Sequence, residues 1–291
     1  MERKLFLIIL ETLDRIGGAW RRPAKARFTD RDIVLTYFHA VLHERCVDWA
    51  CRRENWPWHD RRRALPSGAT MSRRLRTPEV RGLIEGVRFA LAEAGIDLPA
   101  TLILDAKPLP LSGHSMDKDA GFGRAGSIFT RGYKLHAIAD LSGNIRAFRV
   151  ESLKVGEQAA AHALLALLPA PTPGTRLLAD ANYDSSALYD AAGARGLQLV
   201  AARRYRHAKG LGHVYQSPFR LRALELQRED PRVLDERRRI EGFFGTMGNV
   251  VGGLAPLPNA VRGRRRVELW VAAKLAIDAA HRSIRAAKRQ V

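Results

Sequence analysis

The chain has 291 residues and a net charge of +19, because 49 Lys and Arg side chains outnumber 30 Asp and Glu side chains. Hydrophobic residues make up 46% of the sequence, a share typical of a globular protein with a packed core. No segment is long and apolar enough to span a membrane, so we expect no membrane partner and a cytoplasmic location. The excess of positive charge favours a polyanionic partner, of which nucleic acid is the simplest.

Residues 1–95 have the capping signals of helices and form the first predicted domain. Ser67 is placed to cap a short basic helix, and Thr77 to cap the next one, with Pro78 at its first position. The short helix carries Arg73, Arg74 and Arg76. Two helices with a tight break and an arginine-rich first member are typical of a helix-turn-helix-like DNA reader. The alternative is a helical bundle whose basic face is simply solvated.

From residue 96 onward the pattern changes to strands and helices, which predicts an α/β domain covering residues 96–291. The predicted strands are 101–105, 132–140, 145–152, 176–180 and 197–203. The predicted helices are 156–168, 183–196, one from about residue 235 that carries Glu241, and 263–289. Two segments have no predicted regular structure: a Gly- and Ser-rich loop after Asp105, which carries Lys118, Arg124 and Arg131, and a basic insert at about 204–232.

Two of the predicted strands end in the same way, LILD at Asp105 and LLAD at Asp180. A carboxylate at the end of a buried strand is unfavourable unless it has a partner. The connection between the strands contains a hairpin and a helix, which allows the second strand to lie parallel and next to the first. The two carboxylates then converge, and a third on a crossing helix would complete an oxygen-rich pocket. Such ligands suit Mg²⁺, and two ions about 3.5–4 Å apart can promote attack on a phosphodiester.

Four motifs taken together resemble one family. In chain order they are LILDAKPLP, GYKLHAIAD, LLADANYDS and RRRIEGFFGTM, and the resemblance covers roughly residues 98–285. The family is the DDE transposases of bacterial insertion sequences, whose catalytic core is RNase H-like, a mixed sheet flanked by helices, behind an all-α DNA-binding region. The resemblance implies that Asp105, Asp180 and Glu241 are the catalytic residues and the ligands of two Mg²⁺ ions, for which Mn²⁺ can substitute.

The resemblance also implies a reaction and its partners. Members of this family cut the phosphodiesters at transposon ends and join the freed 3′-hydroxyl to target DNA. The expected partners are double-stranded DNA, as inverted-repeat ends and as target, and a second copy of the chain that helps to hold two ends together. The protein is expected to be associated with the bacterial nucleoid. Some members place Tyr, Arg and Lys around the glutamate. Here Arg237 matches, whereas Leu234 and Gly248 stand in the other two places.

Basic residues near these motifs are predicted to contact DNA phosphates, with solvated surface charge as the alternative. They are Lys134, Arg203, Arg204, Arg206, Arg237, Arg238 and Arg239. The glycine-rich GFGRAG at 121–126 lacks the strand-to-helix setting of a nucleotide-binding loop, so we expect no nucleotide cofactor. Two other functions stay open: an RNase H-like DNA endonuclease without strand transfer, and a catalytically silent, domesticated DNA-binding protein.

Overall fold

The chain divides into two compact units. The helical unit comprises Met1–Glu93 with Met247–Val291, and the α/β unit comprises Ala94–Thr246. The computed structural model describes residues 2–17, 24, 26–57, 64–92, 98–111, 115–205, 215–249 and 253–289. The last helix is thus grouped with the N-terminal helices, whereas the sequence placed it in the second domain.

The described elements are numbered in chain order. The helices are α1 (Glu2–Gly17), α2 (Asp30–Leu42), α3 (Val47–Ala50), α4 (Gly68–Arg74), α5 (Pro78–Leu91), α6 (Glu157–Leu165), α7 (Ser186–Gly193), α8 (Pro218–Glu229), α9 (Arg239–Asn249) and α10 (Arg264–Arg289). The strands are β1 (Thr101–Pro110), β2 (Gly121–Ala125), β3 (Ile128–Asp140), β4 (Ile145–Ser152), β5 (Arg176–Ala179) and β6 (Gln198–Ala201). Within the described residues, none of these helices combines the length and the apolar character needed to cross a membrane.

The helical unit is built from amphipathic helices. Helix α2 starts with a capping box, in which Thr29 accepts from the backbone of Asp32 and the Asp32 side chain accepts from the backbone of Thr29. Helix α5 packs against α1 and α10. An apolar stripe at helical spacing on the last helix is buried, and it consists of Trp270, Ala273, Ile277, Ala280 and Ile284. Burial of these side chains supplies the apolar contact that holds α10 to the other helices.

Within the described part of the α/β unit, the strands form one six-stranded sheet. The order is β2-β3-β1-β5-β6, and β4 pairs with β3 as well. Strands β3 and β1 are antiparallel, whereas β5 and β6 run parallel to β1. Helices α6 and α7 pack against the sheet, and Leu164 and Leu188 share a buried cluster with Leu102 and Leu177. The mixed sheet with flanking helices confirms the predicted fold class.

Much of the segment after Asp105 belongs to strands, so the prediction of one long loop there was wrong, although Lys118 does lie in a turn. Strand β1 continues to Pro110, and β2 pairs with the first residues of β3. The glycines that obscured β2 in the sequence are required by its position, since a Cβ on Gly123 would lie 2.5 Å from the carbonyl oxygen of Leu153. The GFGRAG motif is therefore largely strand, which agrees with rejecting a nucleotide-binding loop.

Helix α8 occupies part of the segment that was predicted to be irregular, so that prediction was also wrong. Pro218 stands at its first turn, where a missing N–H costs nothing. Ala223 is buried and the helix packs against β6 and α7. Most of its other side chains are charged or polar, so the apolar period that normally indicates a helix is weak. Residues 206–214 of the insert lie outside the described residues.

Gly132 is predicted to be a stability determinant of the sheet. A Cβ at this position would lie 2.6 Å from the carbonyl oxygen of Leu109 and 3.0 Å from the Cα of Pro110, both backbone atoms of β1. We expect Gly132→Ala to lower the free energy of unfolding by about 1–3 kcal/mol, because the strands must separate. Gly82→Ala is the matched control, since Gly82 is exposed in α5 with open space around it, and there alanine should add about 1 kcal/mol. Equal urea-denaturation midpoints for Gly132→Ala and the unmodified protein would refute this.

Candidate active site

The register of two parallel strands brings Asp105 and Asp180 side by side. Strand β1 pairs with β5 so that Ile103 lies opposite Leu178. Asp105 and Asp180 are each two residues further along their strands, so both side chains lie on the same face at the same level of the sheet. The predicted convergence of the two strand-end aspartates is therefore present, with Asp105 inside β1 and Asp180 directly after β5.

The environment of Asp105 disfavours its negative charge. Burial raises the pKa of Asp105 to about 6, while the backbone N–H of Ala106, which donates to Oδ1 at 2.8 Å, opposes the shift. The charges of Asp180 and Glu157 raise the same pKa further, and the charge of Arg237 lowers it. Concentrated negative charge of this kind is characteristic of functional sites.

Asp180 has a similar environment and a second structural role. It is the N-cap of a short 3₁₀ turn at Ala181–Tyr183, and its Oδ1 accepts from the backbone N–H of Asn182 at 2.9 Å. Burial raises its pKa, and the charge of Glu157 acts in the same direction, while Arg237 and Lys134 lower it. Two half-buried carboxylates with raised pKa values are hard oxygen ligands that gain from a divalent cation, so the donor set fits Mg²⁺ or Mn²⁺.

Glu241 lies in the first turn of α9, held by apolar neighbours. Ile240 and Phe244 are buried, whereas 64% of the Glu241 side chain is exposed. Its Oε1 accepts from Nη2 of Arg237 at 3.5 Å, and the same arginine acts electrostatically on both aspartates. Among the residues the structure describes, no three His, Cys, Asp or Glu side chains are grouped closely enough to hold a metal ion. The structure therefore places the two aspartates side by side, and Arg237, which contacts Glu241, acts on both aspartates through its charge.

One acidic residue near the aspartates was missed by sequence reasoning. Glu157 is the first residue of α6, and its Oε1 accepts from Nζ of Lys134 at 2.9 Å. The neighbouring Gln158 donates from Nε2 to the carbonyl oxygen of Asn182 at 3.1 Å, which ties the start of α6 to the turn behind Asp180. The signal in the sequence was a glutamate at a helix start after a hairpin, a pattern that helix capping alone explains. Lys134, predicted to contact DNA, is largely engaged by this glutamate.

Lys107 is the second residue that the sequence analysis overlooked. It lies two positions after Asp105 in β1, so its side chain is on the same face of the sheet. Its Nζ lies 5.9 Å from the centre of the Phe244 ring on α9. Burial lowers the pKa of Lys107, because a half-buried ammonium is poorly solvated. The period-two alternation of the strand was the signal that would have found it.

The other arginines predicted to bind DNA are in different environments. Arg73, Arg76, Arg204, Arg238 and Arg239 are exposed, Arg203 and Arg237 are half-buried, and Arg206 lies outside the described residues. Arg74 forms an ion pair with Asp30 and donates to the carbonyl oxygen of Phe28 at 3.0 Å. Because its guanidinium connects α4 to the start of α2, Arg74 has a structural role in the helical unit.

Other aspartates at strand and helix ends have structural partners. Asp140, at the end of β3, accepts from the backbone N–H groups of Ser142 and Asn144 at 2.9 Å each, so it shapes the turn that follows the strand. Asp184 accepts from Nε and Nη2 of Arg220 at 2.9 Å each, a two-point ion pair. These contacts satisfy both carboxylates and distinguish them from Asp105 and Asp180.

The mixed sheet, with its flanking helices and two acidic side chains at the same level of adjacent parallel strands, is consistent with an RNase H-like domain. Residues 97–277, more than half of the chain, match the transposase DDE domain family, and the chain belongs to this family. This confirms the family inferred from the motifs and supports a transposase activity. Domains of this family act on DNA and generally use divalent metal ions. A comparison with curated proteins gives no match.

Proposed function

We propose that the chain is an insertion-sequence transposase that cuts the phosphodiesters at transposon ends and transfers the freed 3′-hydroxyl to target DNA. The observation that carries the proposal is the placement of Asp105 and Asp180 at one level of two adjacent parallel strands. Both aspartates have raised pKa values, as expected for buried carboxylates at a site that would bind a cation. The family match supports the chemistry, since it spans both aspartates and Glu241.

The residues of the site have separate roles in this proposal. Asp105, Asp180 and Glu241 would hold two Mg²⁺ ions, for which Mn²⁺ could substitute. Bound there, such ions would supply positive charge that activates the attacking oxygen and stabilises the leaving oxygen of the phosphodiester. Arg237 orients Glu241 and balances the charge of the two aspartates until cations bind. Lys107, on the same face as Asp105, approaches a non-bridging phosphate oxygen, where a positive charge stabilises the transition state.

The DNA partners are the inverted-repeat ends and the target duplex. The exposed arginines of α4 and its following turn, Arg73 and Arg76, serve a DNA-binding region of residues 1–95. Arg204, Arg238 and Arg239 meet phosphates near the catalytic residues. Two copies of the chain hold two ends in a homodimer, and the reaction takes place in the cytoplasm, at the bacterial nucleoid.

Removal of divalent metal is expected to abolish the reaction. The purified chain is incubated with a labelled duplex that carries the inverted repeats flanking its gene and with a target plasmid. With Mg²⁺ or Mn²⁺ we expect cleaved ends and joined products, and with EDTA neither, because the carboxylates alone supply no positive charge to the phosphodiester.

The same assay separates the alternative functions. Cleavage without joined products identifies an endonuclease, and binding without cleavage identifies a silent DNA-binding protein. Cleavage that continues undiminished in EDTA overturns the metal-dependent mechanism.

A further inference from the structure

The hairpin of β2 and β3 presents arginine and phenylalanine side chains on one face in alternation. Phe122 lies opposite Arg131, and Arg124 lies opposite Phe129. Residues directly opposite each other in an antiparallel pair point to the same side, so these four side chains form a two-by-two pattern. We call this surface the Phe–Arg face. The two phenylalanines, Phe122 and Phe129, are diagonal neighbours in this pattern, and their rings stack with centres 6.0 Å apart and planes inclined by 15°.

The two rings of the Phe–Arg face are solvent-exposed, which is unusual for phenylalanine. The exposed fractions are 54% for Phe122 and 71% for Phe129, and Arg124 is exposed as well. Arg131 stacks over the Phe122 ring at 4.9 Å and donates from Nη1 to the carbonyl oxygen of Ser115 at 2.8 Å. These contacts hold the Phe122 ring and its neighbour in position without covering them. Exposed aromatic surface held in this way is typical of a binding surface.

The opposite face of the hairpin is packed, which leaves the Phe–Arg face outward. A Cβ on Gly121 would lie 2.4 Å from Oγ of Ser152, and one on Gly123 would lie 2.5 Å from the carbonyl oxygen of Leu153. The glycine side of the hairpin therefore rests directly on the end of β4 and the residues after it. Because the backbone of Gly121 and Gly123 packs directly against Ser152 and Leu153, the orientation of the hairpin on the sheet is fixed.

We propose that the Phe–Arg face is a DNA-contacting surface, in which Arg124 meets a backbone phosphate and the two phenylalanine rings stack on or wedge between bases. This rests on the proposed function and adds a contact to it. Guanidinium groups alternating with aromatic rings match phosphates alternating with bases, and the net charge of +19 favours a polyanion. A two-stranded ribbon is also narrow enough to enter the major groove. Association of two copies through this face would set each guanidinium against another positively charged surface, which is unfavourable.

The position of the hairpin fits a duplex that also reaches the two aspartates. Asp105 lies opposite Ala137 of β3, and Phe129 is eight residues before Ala137 on the same strand. At about 3.3 Å per residue this separation is roughly 26 Å along the strand, or about eight base pairs of duplex. The hairpin extends past Pro110, the last residue of β1, in the direction in which β1 and β5 run; Asp105 lies five residues before Pro110, and Asp180 directly follows β5. We therefore expect the Phe–Arg face to touch DNA about eight base pairs from the phosphodiester that is cut.

The test compares variants of the Phe–Arg face with matched variants elsewhere in the α/β unit. The face is altered by the double variant Phe122→Ala/Phe129→Ala and, separately, by Arg124→Ala. The controls are Leu167→Ala and Arg176→Ala, since both residues are exposed. Arg176 is the first residue of β5, so it lies at the end of the strand opposite Asp180. The full-length chain is titrated with a fluorescein-labelled duplex of about 30 base pairs of arbitrary sequence at several salt concentrations. Circular dichroism melts verify that each variant is folded.

The two kinds of contact give different results. The double phenylalanine variant should bind at least about tenfold more weakly at every salt concentration, with an unchanged salt slope, because stacking releases no counterions. Phe122→Leu/Phe129→Leu should recover little of the loss if stacking of aromatic rings is responsible. Arg124→Ala should reduce the slope of log affinity against log salt by about 0.9, the value for one phosphate contact. Neither control should change either quantity.

Three other outcomes overturn the proposal. Unchanged affinity and slope in all variants of the Phe–Arg face exclude a DNA contact there. A change in sedimentation behaviour at unchanged DNA affinity assigns the face to a second copy of the chain. An equal loss in Leu167→Ala assigns the effect to general destabilisation. Because the probe has no special sequence and is not cut, these results are independent of cleavage, and the proposed function is tested separately by its cleavage and joining assay.

Discussion

Asp105→Asn and Asp180→Asn are each expected to reduce DNA cleavage by about a thousandfold or more, while binding of the same DNA is retained. Asparagine keeps the shape of the side chain and one acceptor oxygen but removes the negative charge that attracts divalent cations. At Asp180 it can also keep the cap on Asn182, so the fold of the turn is preserved. A loss of this size corresponds to about 4 kcal/mol of transition-state stabilisation, which is in the range expected for a metal-assisted step.

The measurement is the initial rate of end cleavage at saturating DNA, with binding followed by fluorescence anisotropy. Asp119→Asn is the control, because Asp119 is an exposed aspartate of the same unit. Both active-site variants should also lose Mn²⁺ binding detected by electron paramagnetic resonance, whereas the control should retain it. Cleavage at more than a tenth of the normal rate in either variant would remove the two aspartates from the mechanism.

Glu241→Gln and Glu157→Gln are expected to have very different effects, and this comparison decides which glutamate joins the aspartates. Glu241 is the third ligand in the proposed function although its side chain is mostly exposed, so its substitution should lower cleavage by about a thousandfold. Glu157 acts on both aspartates only through its charge and is engaged by Lys134, so Glu157→Gln should lower cleavage by less than about tenfold.

The two glutamates also differ in what they contribute to stability. Glu157→Gln leaves the largely buried ammonium of Lys134 without its ionic partner, so a lower melting temperature is expected. Glu241→Gln removes an exposed contact of 3.5 Å with Arg237, which has little effect on stability. If the rates are reversed, with Glu157→Gln inactive and Glu241→Gln active, the third ligand is Glu157.

The features that follow from local sequence were predictable. Asp105 and Asp180 were found because both end short apolar runs, and because neighbouring parallel strands bring such ends to one edge of a sheet. The last helix was found because its apolar residues recur at helical spacing. Both patterns depend on the secondary structure of a single segment and on general rules of topology.

The features that depend on packing between distant segments were not predictable. Glu157 meets Lys134 only because α6 packs against β3, and nothing near either residue in the sequence indicates the pairing. The glycines of β2 are unfavourable for a strand in isolation and become necessary once the strand rests on Leu153. Helix α8 is stabilised by its contacts with β6 and α7, so its own composition, rich in charge, gives little indication of it.

The three acidic side chains differ in how firmly hydrogen bonds fix their conformations. Asp105 and Asp180 each accept a backbone N–H from a residue one or two positions ahead, so their orientations are set when the chain folds. Glu241 has a longer, exposed side chain with a 3.5 Å contact to Arg237, so in the proposed function we expect this residue to lose the most conformational entropy when the site assembles. In the proposed function, the two aspartates are therefore oriented before any ion or DNA binds, and Glu241 on α9 is the ligand whose side chain must still be ordered.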